Sequence, residues 1–357
     1  MIPGSDASNV PDNDAERYHQ QRNRHEWTNP PEGLRYTNSG KAFFPRGHVF
    51  TRQGSIKKLS SSERRAALAS CHPSVRDQDH PVALNITKTP KCYVGGAFIR
   101  SESGRVYPLH DADGGFLANI PLCTKKDLRN AVEAAAKAGA GWAKRSPYNR
   151  AQILYRLAEM LESRFSEMAA VTSDKETRAT IDRIVHFAGW ADKYEQVLGS
   201  VNPVASSHFN FTVTEPMGIV GVLAPEEAPL LALVTLILPV IVSGNTVIAV
   251  ASKSKPYPSI LLGEMLAVSD LPGGVVNLLT GDRVELIPTF ATHEHLRAIG
   301  ATATKDEAKT LQQGAAESVK RVVLHEPKTD WFSESHDSPY AIRDFVEAKT
   351  VWHPIGS

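Results

Sequence analysis

The sequence predicts an α/β fold, a parallel β-sheet covered by helices on both faces. From Gly218 to Leu324, short apolar runs alternate with helical patterns across connections of a few residues, as strand–helix–strand crossovers require. The strand runs are rich in Val and Ile with few polar interruptions, which fits strands buried on both faces rather than one. Of the 357 residues, 41% are hydrophobic and 22% charged, an ordinary balance that supports a large core and excludes a wholly disordered or collagen-like chain.

Residues 1–85 stand apart. They hold 12 Lys/Arg, 9 Asp/Glu and 5 His with scattered Pro, Gly and Asn. Only Ser60 to Ser70 reads as a helix, opened by the capping-box pattern Ser60-Ser61-Ser62-Glu63. The rest has too few apolar residues to offset the entropy of ordering. It is expected to be a weakly basic, largely irregular extension, either a solvated tail or a segment that docks on a partner.

The second stretch begins with a strand at Cys92 to Ile99, followed by turns at Gly104 and Asp113-Gly114-Gly115. Thr124-Lys125-Lys126-Asp127 caps an alanine-rich helix towards Trp142. Pro147 opens a second helix whose Ile153, Leu154, Leu157 and Leu161 share a face, and a third covers about Thr180 to Leu198. Residues 199–213 read as a hairpin. Strands then fall at 218–223, 247–250, 275–279, 296–299 and 321–324, separated by helices at 230–242, 259–267, 284–292 and 305–316.

Charge and cysteine content narrow the function. Lys+Arg 40 against Asp+Glu 39 leaves a formal net charge of +1, so no global field favours nucleic acid or an acidic membrane, and neither is expected as a partner. Cys71, Cys92 and Cys123 match no zinc spacing and no disulfide framework, which points to a reducing, cytoplasmic setting and to no bound metal. The first residues, Met-Ile-Pro-Gly-Ser-Asp, lack the basic and apolar regions of a signal peptide. From Ala228 to Ser252 no residue is charged, a run long enough to span a bilayer. Pro239 and the turn Ser243-Gly244-Asn245 divide it, so a buried helix followed by a buried strand is expected.

Several motifs occur in one order: Tyr93-Val94-Gly95-Gly96, Ala188-Gly189-Trp190-Ala191-Asp192-Lys193, Glu215-Pro216-Met217-Gly218-Ile219-Val220-Gly221, Gly244-Asn245-Thr246-Val247, and Pro272-Gly273-Gly274-Val275-Val276-Asn277 with Thr280-Gly281. The tail adds Tyr340-Ala341-Ile342-Arg343-Asp344-Phe345 and Glu347-Ala348-Lys349-Thr350-Val351-Trp352. Together they resemble the aldehyde dehydrogenase superfamily, and in particular the truncated second module of family-sixteen members. The resemblance covers about residues 91–357. It implies a Rossmann-like cofactor domain at 86–331 that includes the hairpin 199–213, an oligomerisation strand at 332–357, and a missing catalytic domain.

The family's chemistry needs a cysteine nucleophile, an oxyanion donor, a general base and bound NAD(P). No cysteine lies beyond Cys123, so no catalytic residue is expected. The remaining pocket positions read as vestigial. The strand-end motif that donates to the oxyanion aligns with Pro225-Glu226-Glu227-Ala228-Pro229, which puts Glu227, an acceptor when ionised, where a donor is needed. The ribose-binding Lys and Glu become Val250 and Lys253. The pyrophosphate motif aligns with Ala298-Ile299-Gly300-Ala301 and keeps Gly300, Gly281 survives from the Thr-Gly pair, and the general base becomes His325. Two rescue readings exist, His325 as a base and Glu226–Glu227 as a metal site or a carboxyl of raised pKa. The expected roles are a structural histidine and a solvated helix N-terminus, and no cofactor is expected. Cys123 is expected to be a partly buried, inert thiol.

In the family the arm adds strands to a neighbour's catalytic-domain sheet. This chain can donate an arm but has no such sheet to receive one, which implies a pseudoenzyme in a hetero-oligomer with a full-length, active aldehyde dehydrogenase. Competing readings are an NAD(P)-binding oxidoreductase subunit, a scaffold acting through residues 1–85, and a decayed remnant.

Overall fold

The computed structural model describes residues 88–111 and 113–356, together with four short strands nearer the N-terminus. The chain forms two compact units, Met1–Ile86 and Thr87–Ser357. In the first, β1 (Arg35–Tyr36), β2 (Ala42–Phe43), β3 (His48–Phe50) and β4 (Ile56–Lys58) pair antiparallel in sequence order. The helix expected at Ser60 to Ser70 lies outside the described residues.

The second unit opens with the hairpins β5 (Cys92–Val94)/β6 (Ala97–Ile99) and β7 (Val106–His110)/β8 (Phe116–Pro121). Five helices follow: α1 (Lys125–Ala143), α2 (Pro147–Ser163), α3 (Phe165–Val171), α4 (Asp174–Trp190) and α5 (Tyr194–Leu198). After β9 (Ser200–Asn202) and β10 (His208–Pro216) comes the alternating stretch: β11 (Ile219–Leu223), α6 (Leu231–Val242), β12 (Thr246–Val250), α7 (Tyr257–Ala267), β13 (Val276–Leu279), α8 (Arg283–Thr292), β14 (Leu296–Thr302), α9 (Lys305–Ala316) and β15 (Arg321–His325). Two 3-10 turns, Glu334–Asp337 and Pro339–Phe345, lead into β16 (Val346–Pro354).

The central sheet has seven strands in the order β15-β14-β11-β12-β13-β5-β6. Five are parallel, and the β5–β6 hairpin adds an antiparallel edge beside β13. Alternation along each strand sorts side chains between the two faces. Val220, Val222, Val247 and Ala249 face α2, α4, α6 and α7, while Ile219, Leu223, Ile248 and Val250 face α1, α8 and α9. Both faces are covered, which is why these strands read as continuous apolar runs.

Helix α6 is buried along its whole length, so the polar groups at its ends need partners from the protein. Glu176 on α4 accepts from Leu230 N at 2.8 Å and Leu231 N at 3.2 Å. At the other end, Trp142 Nε1 donates to Ile241 O at 2.9 Å and Arg150 Nε donates to Val242 O at 3.0 Å. Among the described residues no helix is long and apolar enough to cross a membrane.

Helix α4 begins at Asp174 rather than near Thr180, because Ser173 caps it by accepting from Glu176 N at 3.1 Å. Its polar first turn hides that start from apolar periodicity. It ends at Trp190, and the separate helix α5 carries the chain to Leu198.

Strand β16 pairs with β10 antiparallel over nine positions, from His208↔Pro354 to Pro216↔Val346, giving a sheet ordered β16-β10-β9. The hairpin and the C-terminal strand therefore assemble within one chain. Residues 326–345, the whole connection between β15 and this arm, fold back on the core. Trp331 is 1% exposed, and Ile342 and Phe345 share the cluster that surrounds α6. Arg183, 5% exposed, pairs with Asp337 at 2.6 Å and donates to Thr235 Oγ1 on α6 at 3.0 Å. Asn245 Nδ2 donates to Phe345 O at 2.6 Å, while its Oδ1 accepts from Gly218 N at 2.7 Å.

Replacing a fully buried Trp by Ala removes its packing and leaves a cavity, at a cost of about 3–5 kcal/mol. Urea unfolding of W331A should show a loss of that size. W352A, at a side chain 57% exposed on the arm, should lose no more than about 1 kcal/mol.

Candidate functional site

Open α/β sheets bind ligands beyond the carboxyl ends of their strands, where the strand order reverses. Here the chain runs through β11, β12 and β13 in one direction and then sets β14 on the other side of β11. The reversal lies between β11 and β14, and Arg283, the first residue of α8, bridges it. Its guanidinium donates to Ala224 O at 3.1 Å, beyond the end of β11, and to Thr302 O at the end of β14. It also pairs with Glu307 at 3.0 Å.

Glu307 belongs to the first turn of α9. Its carboxylate accepts from Thr304 N at 2.9 Å in a capping box, and Asp306 adds a second negative charge. A helix N-terminus attracts phosphate through free N–H groups and the positive end of its dipole. Here a carboxylate of the same helix, Glu307, takes the Thr304 N–H.

The turn after β12 is closed in a similar way. Glu226 accepts from Ser252 Oγ and Ser254 Oγ, each at 2.5 Å, and from the backbone N–H groups of Lys253 and Ser254, each at 3.0 Å. Burial would raise its carboxyl, but these donors outweigh it and hold the group below its ordinary value. The Lys253 ammonium turns to Asp282, with Nζ 2.7 Å from Oδ2. That hydrogen bond holds the Asp282 carboxyl down while Asp282 caps α8 by accepting from Val284 N at 2.9 Å.

The sequence-derived positions do not form one constellation. Pro225 is buried after β11, Glu226 and Lys253 meet at the turn, and Glu227 is exposed. The expectation that both carboxylates cap a helix N-terminus is corrected for Glu226, which caps the Ser252–Ser254 turn, while Glu176 serves α6. The alternative reading, a raised pKa at Glu226, is not supported, because its hydrogen-bond donors hold the carboxyl down. Val250 is the buried last residue of β12.

Gly281, at φ +147°, lies against Cys123, where an added Cβ would come 3.1 Å from its backbone N. Gly300 sits inside β14 facing Phe345 rather than at a helix start. The helix-start positions are instead Thr302, Ala303 and Thr304, because β14 runs on to pair Thr302 with His325. Among the described residues no group of three or more His, Cys, Asp or Glu could hold a metal.

His325 ends β15 on the edge of the sheet. Its ring centroid is 5.1 Å from that of Trp331, which stacks at 4.9 Å on His336. His325 and His336 line a cavity of about 460 Å³ between α6, β15 and the 335–345 segment, together with Thr235, Leu236, Tyr340 and Arg343. Burial lowers the pKa of both imidazoles. The neighbouring His336 adds to the effect at His325, and Arg183 adds to it at His336.

A dinucleotide needs free N–H donors for its pyrophosphate, groups for its ribose hydroxyls, and space at the strand reversal. Here Glu307 takes the Thr304 N–H, Glu226 takes those of Lys253 and Ser254, Lys253 is paired with Asp282, and Arg283 spans the reversal. The Lys253 ammonium and the Glu226 carboxylate are thus not free to hold ribose hydroxyls.

The model of the aldehyde dehydrogenase family matches residues 98–327. The chain belongs to the aldehyde dehydrogenase family. Retinal dehydrogenase 2 from Gallus gallus is 31% identical over 253 residues, covering 66% of this chain and 48% of that protein. An aldehyde dehydrogenase from Bacillus cereus, solved as an NAD+ complex, aligns with TM-score 0.63 and 24% identity over 66% of this chain and 50% of that one. A Brucella melitensis aldehyde dehydrogenase gives TM-score 0.64 at 22% identity, over 70% and 53%. The chain spans about half the length of the curated relatives it matches, and the structural likenesses establish the fold.

Sequence reasoning missed Arg283, Glu176 and the Arg183–Asp337 pair. The capping pattern Thr304-x-x-Glu307 was a readable signal for one partner of Arg283. The others join residues distant in sequence and leave no local pattern.

An unfolded histidine titrates near 6.5, and folded His325 titrates below that. Between the two values the unfolded chain binds more protons, so the unfolding free energy should fall as pH drops through this window. H325F keeps an aromatic ring beside Trp331 and should flatten part of that slope, as measured by urea unfolding at pH values on either side of 6.5.

Proposed function

We propose that this chain is a non-catalytic aldehyde dehydrogenase subunit that pairs with, and stabilises or regulates, an active full-length member of its family. The observation that carries this reading is the course of the chain after β15. Twenty residues, 326–345, pass from the cofactor-type sheet into the arm and bury Trp331, Ile342 and Phe345 on the way. No second α/β layer intervenes among the described residues.

The site chemistry supports the same reading. Cys92 and Cys123 are buried to 2% and 0% exposure, so neither thiol is presented to an aldehyde. NAD(P) is not part of the proposal, because Arg283, Glu307, Glu226 and Lys253 are bonded to one another or to the turns around the strand reversal. The setting we propose is cytoplasmic.

The arm supplies the means of pairing. Strand β16 is nine residues long and lies at the edge of its sheet, with Val351 half-buried and Trp352 exposed. An unpaired strand edge is a template for another strand. A partner carrying the catalytic-domain sheet that this chain lacks would complete it.

Co-expressed with a full-length aldehyde dehydrogenase from the same source, the tagged chain should co-purify at fixed stoichiometry. A chain ending at Phe345 keeps the core contacts of the connection but loses β16, and should no longer co-purify. Co-purification unaffected by that truncation would place the contact elsewhere, and a monodisperse chain that ignores every such partner would refute the pairing.

A further inference from the structure

Two cysteines far apart in sequence meet in the core. Cys92 lies on β5, and Cys123 lies just before α1. Their Sγ atoms are 3.3 Å apart, and Cys92 Sγ is also 3.3 Å from Thr280 Oγ1. The surroundings hold both in place. Cys123 N donates to Thr280 O at 3.0 Å, Thr280 Oγ1 donates to Pro121 O at 2.7 Å, and Gly281 leaves no room for a side chain beside the Cys123 backbone.

We propose that Cys92 and Cys123 form a dithiol that small hydroperoxides convert to an internal disulfide. The geometry divides the roles. The hydrogen bond with Cys123 lowers the Cys92 thiol, while the same contact and burial push Cys123 well up. Cys92, whose Sγ touches both Cys123 Sγ and Thr280 Oγ1, is assigned the first step and Cys123 the second.

Cys92 Sγ attacks one peroxide oxygen. An S–O bond forms, the O–O bond breaks, and water or an alcohol leaves with the thiol proton, giving a sulfenic acid. Cys123 Sγ then attacks the oxidised sulfur, so that the S–S bond forms, the S–O bond breaks, and the departing hydroxide takes the Cys123 proton as water. In sum two thiols are oxidised, and the peroxide is reduced to two molecules of water, or to water and an alcohol. With both sulfurs buried, the small hydrogen peroxide is favoured as oxidant over a bulky, charged disulfide such as oxidised glutathione. The new bond fastens the β5–β6 edge hairpin to the segment that leads into α1. This inference rests on the thiol geometry and not on the pairing proposal.

The test treats the folded full chain with hydrogen peroxide or oxidised glutathione, blocks remaining thiols, and maps the non-reduced peptides. The expected result is a Cys92–Cys123 peptide after peroxide and no glutathione adduct at either residue. In C123S, a sulfenic-acid trap should label Cys92 after peroxide, whereas the unsubstituted chain should show little label. Free Cys92 and Cys123 after peroxide, or bonds only to Cys71, would overturn the inference. If C123S fails to fold, the peptide map of the unsubstituted chain decides alone.

Discussion

Helix α6 is apolar on every side and buried along its length, and both of its ends must be terminated by protein groups rather than by water. That requirement recruits most of its neighbours. Glu176 on α4 takes the N–H groups at its start, Trp142 on α1 and Arg150 on α2 take carbonyls at its end, and Arg183 on α4 reaches Thr235 on its flank. A buried donor or acceptor left unmatched costs about 1–3 kcal/mol. The positions of α1, α2 and α4 are therefore tied to this one helix as much as to the sheet. The same face receives Trp331, Ile342 and Phe345, so the segment after β15 closes the core instead of leading into another domain.

This closure links fold to function. Arg183 serves α6 and also pairs with Asp337, which anchors the connection to the arm. Asn245 ties the turn after α6 both to Gly218, before β11, and to Phe345, before β16. The arm thus leaves the core from a fixed point. At the carboxyl ends of the strands, charged side chains neutralise one another: Arg283 with Glu307, Lys253 with Asp282, and Glu226 with the turn at Ser252–Ser254. The fold keeps the framework of a cofactor domain, and on our proposal these charged groups serve internal structure.

What the sequence made legible follows from where its signals lie. The alternation from Ile219 to His325 is local and strong, so the five parallel strands and their helices could be read with only ends such as that of β14 displaced, whereas Cys92 to Ile99, expected as one strand, is the β5–β6 hairpin on the antiparallel edge of the sheet. The family motifs could be read because they are packing devices. Asn277 accepts from Gly95 N at 2.9 Å and donates to Gly274 O at 2.8 Å, and Gly273 lies where an added Cβ would come 2.6 Å from Gly95 O. Such residues hold the framework of the fold together. The replacement of the cofactor contacts was harder to read. Val250 and Lys253 could be placed by the resemblance, but nothing local indicated that Arg283 spans the strand reversal or that Cys92 meets Cys123, because those contacts depend on tertiary approach.

The central claim is that this chain retains a cofactor-type fold whose ligand groups are satisfied internally. Calorimetric titration of the purified full chain with NAD+ and NADP+, beside an active family member under the same conditions, tests it most directly. The account predicts no saturable heat for this chain at concentrations that saturate the active enzyme. Saturable binding of either nucleotide, abolished by a charge reversal at Arg283, would contradict it.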